Sequence, residues 1–289
     1  MMTPILLHIG VHKTATTTMQ QFFGTQSGIL SAHGVEYIPL DRMRKQFTPL
    51  IVRAALEKEA RAELSVRLTE KTEQTLILSD ENLSGLAREV IQNVLYHHAK
   101  ARVRAVIEAA APRPVKLFLT IRDPADFLVS LYCEYLRHNP FITFERYTRT
   151  IDIEAFSFAG RFGWINALPP GVKVHVLPFE RELGGGLERV TMAILRAACG
   201  DEAPVDVAQL PRTRNRAAFT AQEVALFQTI ADSAGPRVVK DFINMAERRG
   251  HRFGTDRFQP IAETTRYELT ARYRCELVQL AGHEAVVTP

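Results

Sequence analysis

The chain of 289 residues is 46% hydrophobic and 24% charged, enough apolar side chain for a sizeable core and the wrong balance for a disordered, collagenous or coiled-coil protein. Thirty-six Lys and Arg against 32 Asp and Glu leave a formal charge of +4, which would not repel an anionic small ligand but is too small to argue for nucleic acid. Cys133, Cys199 and Cys275 are scattered with no CxxC pair, so neither a zinc site nor a disulfide framework is predicted, and reduced thiols in a cytoplasmic protein are expected. MMTPILLHIG lacks a basic leader and reads as a first strand, not a signal peptide. No stretch approaches the ~20 apolar residues of a membrane helix, so no integral membrane segment is expected.

Ile5 to Ile9 is a short apolar run ending at Gly10, the pattern of a buried strand. After the polar VHKTATTT, the residues Met19, Phe22 and Phe23 recur at helical spacing. Gly34 marks a stop before a second strand, Val35 to Ile38. From Arg42 to Glu73, apolar residues at helical intervals among charges predict surface helices. Thr75 to Leu78 is a third β-type run, followed by the polar SDENLSG. Val90 to Ala111 is predicted as one helix stopped by Pro112 and Pro114, and Val115 to Ile121 as the strongest central strand. Pro124 suits the first turn of a helix running towards His138.

In the second half, Val172 to Leu177 reads as a strand, and Gly184-Gly185-Gly186 marks a loop before a helix from Leu187 to Cys199. Thr220 with Glu223 forms a capping-box pattern opening a helix through Phe227, and Ile261 to Leu280 also reads as helical. Strands separated by helical stretches predict a three-layer α/β fold, a central mainly parallel sheet flanked by helices. One domain over residues 1–289 is expected, its part from about 205 to 289 mostly helical.

The connection after the first strand carries Lys13, Thr14, Ala15, Thr16, Thr17 and Thr18. Such a turn aims backbone N–H groups and the positive end of a helix at one point, which suits a phosphate or sulfate. Lys13 adds a full charge, and the hydroxyls add donors. The triphosphate-binding pattern GxxxxGK is absent, as is GxGxxG, so nucleoside-triphosphate enzymes of that type and dinucleotide folds are disfavoured. A second anchor is predicted where the strand ending at Ile121 delivers Arg122 and the next helix carries Ser130, because an arginine fork and a hydroxyl can hold a phosphate dianion.

These two elements carry a resemblance. HIGVHKTATTTMQ resembles the 5′-phosphosulfate-binding loop of the sulfotransferase family, which moves a sulfuryl group from 3′-phosphoadenosine 5′-phosphosulfate (PAPS). Ala15 stands where that family usually has glycine. IRDPADFLVSLYCEYLR resembles the family's 3′-phosphate element, with Arg122 and Ser130 eight positions apart. LSDENLSG, GWINALPPGVKVHVLPFERE and NRAAFTAQEVALFQ are weaker echoes, and Arg212, Arg214 and Arg216 lie beside the last. The resemblance implies a P-loop-like nucleotide-binding core, PAPS as donor, no metal, and an acceptor hydroxyl or amine, with carbohydrate or glycolipid preferred among several acceptor classes.

By analogy with phosphoryl transfer, Lys13 is expected to stabilise the leaving bridging oxygen. Backbone amides with Thr14, Thr16 and Thr17 would hold the 5′-phosphate and sulfuryl oxygens. A general base must take the acceptor's proton. Glu81 is the first choice, with its neighbour Asp80 inseparable from it by sequence and His12 the rival. His8 is expected in the core, and His97 and His98 on the surface. A non-catalytic nucleotide-binding or scaffolding relative, and less so a kinase on the same chassis, are the alternative readings. The oligomeric state is not predicted.

Overall fold

The computed structural model describes residues 2–180, 182, 185–201, 203–211 and 218–280. Five strands form one all-parallel sheet: β1 (Ile5–Gly10), β2 (Val35–Tyr37), β3 (Thr75–Ser79), β4 (Val115–Ile121) and β5 (Lys173–Pro178), in the order β2-β3-β1-β4-β5. The central strand β1 is buried along its whole length. Its side chains alternate between two cores, as a strand buried on both faces requires. Ile5, Leu7 and Ile9 join Leu117 and Leu119 on one face, while Leu6 joins Ile77 and Phe118 on the other. Leu6 and Phe118 have no exposed surface, and burying each contributes about 2–3 kcal/mol.

The helices fall on opposite faces, which creates a crevice. The helix after β1, Thr16–Thr25, packs Phe22 and Phe23 into the second core together with Val190, Ile194 and Leu195 of the helix Leu187–Cys199. The helix after β3, Ala99–Ala110, and the helix after β4, Pro124–His138, pack into the first core instead. The chain therefore diverges on either side of the carboxyl end of β1, where open α/β sheets bind their ligands. The C-terminal helices Ala221–Ala234, Pro236–Arg248 and Glu263–Leu280 add Phe227, Val239, Ile243, Leu269 and Tyr273 to the first core.

One expected element differs. The stretch from Val90 to Ala111 is not a single helix: it contains turns through His98, and the helix starts at Ala99. Asn93 (φ 52°) and Tyr96 (φ 65°) adopt left-handed backbone, which no helix interior accommodates. The turn has a tertiary cause, because it carries the Tyr96 hydroxyl to the backbone of His12. No helix among the described residues is long and apolar enough to cross a membrane.

Candidate active site

The loop after β1 is tied down by its own hydroxyls. Thr14 Oγ1 donates to Val11 O at 2.9 Å and lies 3.2 Å from Thr16 Oγ1. A Cβ on Gly10 would come within 3.1 Å of Thr14 Oγ1, so glycine lets the loop fold back over the strand end. Lys13 (φ 69°) and Ala15 (φ 56°) are both left-handed. Among the described residues, the backbone N–H groups of Lys13, Thr14, Ala15, Thr16 and Thr17 have no protein acceptor. Successive amides turned inward by left-handed residues at a helix start form an anion-binding concavity. The cost falls on Lys13 and Ala15, each of whose Cβ makes this backbone about 1 kcal/mol less favourable than it is for glycine. Thr17 is exposed at the rim, whereas Thr18 is buried and its N–H donates to Ala15 O at 3.0 Å.

Two cations bracket the loop. Arg122 Nη1 donates to Lys13 O at 2.7 Å, and its guanidinium lies 5.6 Å from the Phe179 ring centre. Its Nε is buried without a partner. Lys13 Nζ sits 3.2 Å from Glu134 Oε2, both side chains 17% exposed. Burial lowers the Lys13 pKa, and Glu134 opposes that shift while Arg137 adds to it. Glu134 also approaches Arg137 at 3.6 Å and His138 at 3.1 Å.

The helix Pro124–His138 relates these anchors. Asp126, Ser130 and Glu134 follow at intervals of four, so they form one row along a helix face. Asp126 at one end meets Arg122 at 3.6 Å, and Glu134 at the other meets Lys13. Ser130, half-buried, stands midway. Asp126 is shared by two further arginines, Arg266 at 2.7 Å and Arg257 at 2.9 Å. Burial works against its charge, but Arg266, Arg257 and Arg122 together hold its carboxyl below the ordinary value.

The end of β3 supplies the carboxylates. Asp80 has no exposed surface and accepts from Arg44 at 3.3 Å, Thr48 Oγ1 at 2.7 Å and the Asn82 amide at 3.1 Å, capping the turn Glu81–Leu83. Glu81 accepts from Arg44 at 2.9 Å through Oε1 only, and Oε2 is buried without a partner. His12 lies beside this turn. Burial lowers its pKa and favours the neutral ring, against the pull of Glu81 and a hydrogen bond the ring donates to the Asn82 side chain. Asp80 and Glu81, alike in sequence, are separated by the fold into a fully paired group and a group with one unpartnered oxygen.

The loop from Lys13 to Thr17 and Arg122 thus meet at the carboxyl end of β1, Ser130 lies on the helix face between Asp126 and Glu134, and Glu81 follows the end of β3 with His12 beside its turn. His8 lies in the core, and His97 and His98 are exposed. Arg212, Arg214 and Arg216 lie outside the described residues. Sequence reasoning missed Glu134, Tyr96, Arg44, Arg257 and Arg266. Only the four-residue spacing of Asp126, Ser130 and Glu134 left a local signal, and the other partners are distant in the chain. No protein-family model, no curated protein and no solved structure matches the chain.

Proposed function

We propose that the chain is a PAPS-dependent sulfotransferase acting on a hydroxyl or amine acceptor, with carbohydrate or glycolipid the preferred class. The observation that carries this reading is the pairing of the open amide concavity at Lys13–Thr17 with Arg122, whose guanidinium binds the Lys13 carbonyl at 2.7 Å and keeps Nε unpartnered. Two anchors on adjacent strand ends suit a nucleotide bearing phosphate groups at both its 5′ and 3′ positions.

Under this reading the amides of residues 13–17 hold the 5′-phosphosulfate, while Arg122 and Ser130 hold the 3′-phosphate. Lys13 donates to the bridging oxygen as charge gathers there, leaving Glu134 or sharing its protons with it. Glu81 takes the acceptor's proton through Oε2, which no protein donor occupies.

The test is a thermal-shift titration with 3′-phosphoadenosine 5′-phosphate on wild type, Lys13→Ala and Arg122→Ala. At 100 times its dissociation constant the nucleotide adds about 2.7 kcal/mol to wild type. The expected result is saturable stabilisation lost in both variants and not reproduced by ATP. No shift at millimolar nucleotide would sink the reading in favour of a scaffolding relative.

A further inference from the structure

We infer that Tyr96 fixes His12 as the neutral tautomer with its proton on Nε2, so that His12 is a hydrogen-bond donor on the acceptor side of the crevice and proton abstraction is left to Glu81. The role given to the acceptor rests on the sulfotransferase reading; the tautomer does not.

Three polar groups meet at one oxygen, and their protons must be shared out among them. The His12 backbone N–H donates to Tyr96 Oη at 3.1 Å, and His12 Nδ1 lies 3.1 Å from the same oxygen. Tyr96 is 1% exposed, and among the described residues its hydroxyl has no other partner. The hydroxyl carries one proton and needs one acceptor. If Nδ1 were protonated, two N–H groups would point at Oη and the buried hydroxyl proton would have no acceptor. With Nδ1 bare, Oη accepts from the backbone and donates to the ring, and all three groups are satisfied. The ring proton then belongs on Nε2, and a neutral imidazole in that state has its only basic nitrogen occupied by Tyr96.

The fold holds Tyr96 firmly for this contact. Its left-handed backbone (φ 65°) is a conformation that bulky residues avoid, and such strain persists where surrounding structure enforces it. Phe127 and Phe162 pack on its ring at 6.1 and 5.3 Å, and the ring stacks nearly parallel to that of His12, 8° apart. Its N–H donates to Glu89 Oε2 at 3.4 Å. A Cβ on Gly85 would stand 2.9 Å from Tyr96 Cδ1, so glycine there makes room for the ring.

The deciding measurement is the ring-nitrogen spectrum of the full chain labelled with ¹⁵N-histidine at pH 7, the His12 signals identified by their loss in His12→Gln. A bare Nδ1 and a protonated Nε2 are expected, giving way to a tautomer mixture in Tyr96→Phe. A protonated Nδ1, or an imidazolium, in wild type overturns the inference without any variant needing to fold. Turnover supplies the second arm once the nucleotide titration has succeeded and an acceptor is in hand. His12→Gln, which keeps a donor near Nε2, should lose less than about tenfold, and His12→Ala on the order of a hundredfold. Equal losses in both would make His12 the base and overturn the assignment. A wild type that binds no nucleotide removes the acceptor role while the spectrum still decides the tautomer.

Discussion

The two sides of the crevice are built with opposite electrical logic. On the β4 side each cation has its own carboxylate: Glu134 for Lys13, Asp126 for Arg122. On the β3 side two carboxylates share one arginine, Arg44, which braces both Asp80 and Glu81. In each case a mostly buried charged group is paired with a counter-charge. The difference lies in which buried atoms have no partner among the described residues. Arg122 keeps Nε and Glu81 keeps Oε2, whereas Asp80 is enclosed by donors. Each side therefore holds one buried polar atom that no described residue pairs, a donor beside β4 and an acceptor at the end of β3.

The sharpest way to break this comparison is to mutate the neighbouring carboxylates separately. Glu81→Gln should lower turnover by roughly 10²–10⁴-fold, the worth of a general base, and leave urea-unfolding stability within about 0.5 kcal/mol. Asp80→Ala should do the reverse in kind, costing about 3 kcal/mol of stability through lost charged hydrogen bonds and a lost cap. Equal stability losses would erase the distinction between the two.

Beneath both walls, His8 lies 2.9 Å from Ser79 Oγ and 3.0 Å from Thr120 Oγ1, and burial lowers its pKa to about 4. The unfolded chain protonates this histidine near 6.5, whereas the folded protein resists down to about 4. Stability from the neutral ring is therefore complete above pH 6.5, drains away as pH falls through that window and is gone below its lower end. The loss is on the order of 3 kcal/mol. Urea melts from pH 7 to pH 4 should show it, with a shallower pH dependence in His8→Gln.

Two smaller effects sharpen the β4 side. Glu134→Gln removes the counter-charge that supports a protonated Lys13, so its pKa falls further and nucleotide binding should fail at a lower pH than in wild type. At pH 8 a roughly fivefold weaker affinity by calorimetry is expected, the worth of one half-buried pair. Ala15→Gly relieves the left-handed methyl and should raise stability by about 0.5–1 kcal/mol in the same urea assay. An unchanged midpoint would mean that the loop carries no strain there.

Much of this molecule was legible from local pattern. The strand Val115–Ile121 and the helices Pro124–His138 and Leu187–Cys199 appear with the predicted bounds, because apolar runs, a proline at a helix start and flanking glycines are local signals. The helix predicted from Val90 failed because Tyr96 is pulled out of line by His12, 84 positions away. The same limit explains the site. The strand–loop–helix chemistry of Lys13 and Arg122 is local, but the partners that decide which atoms stay open come from far along the chain. Arg266 reaches Asp126 across 140 positions and Glu134 reaches Lys13 across 121. Nothing local separates Asp80 from Glu81, because Arg44 and Thr48 arrive from an earlier helix.

The row Asp126–Ser130–Glu134 makes the helix after β4 a ruler. At 1.5 Å per residue its ends stand about 12 Å apart, a span set by helical rise and indifferent to most side chains along it. Volume-conserving substitutions between the marks leave that span unchanged. One residue inserted among them would turn everything beyond it by about 100° and swing Glu134 away from Lys13 while Asp126 stayed with Arg122. Over these two turns the count of residues, more than their identity, sets the reach from Arg122 to Lys13.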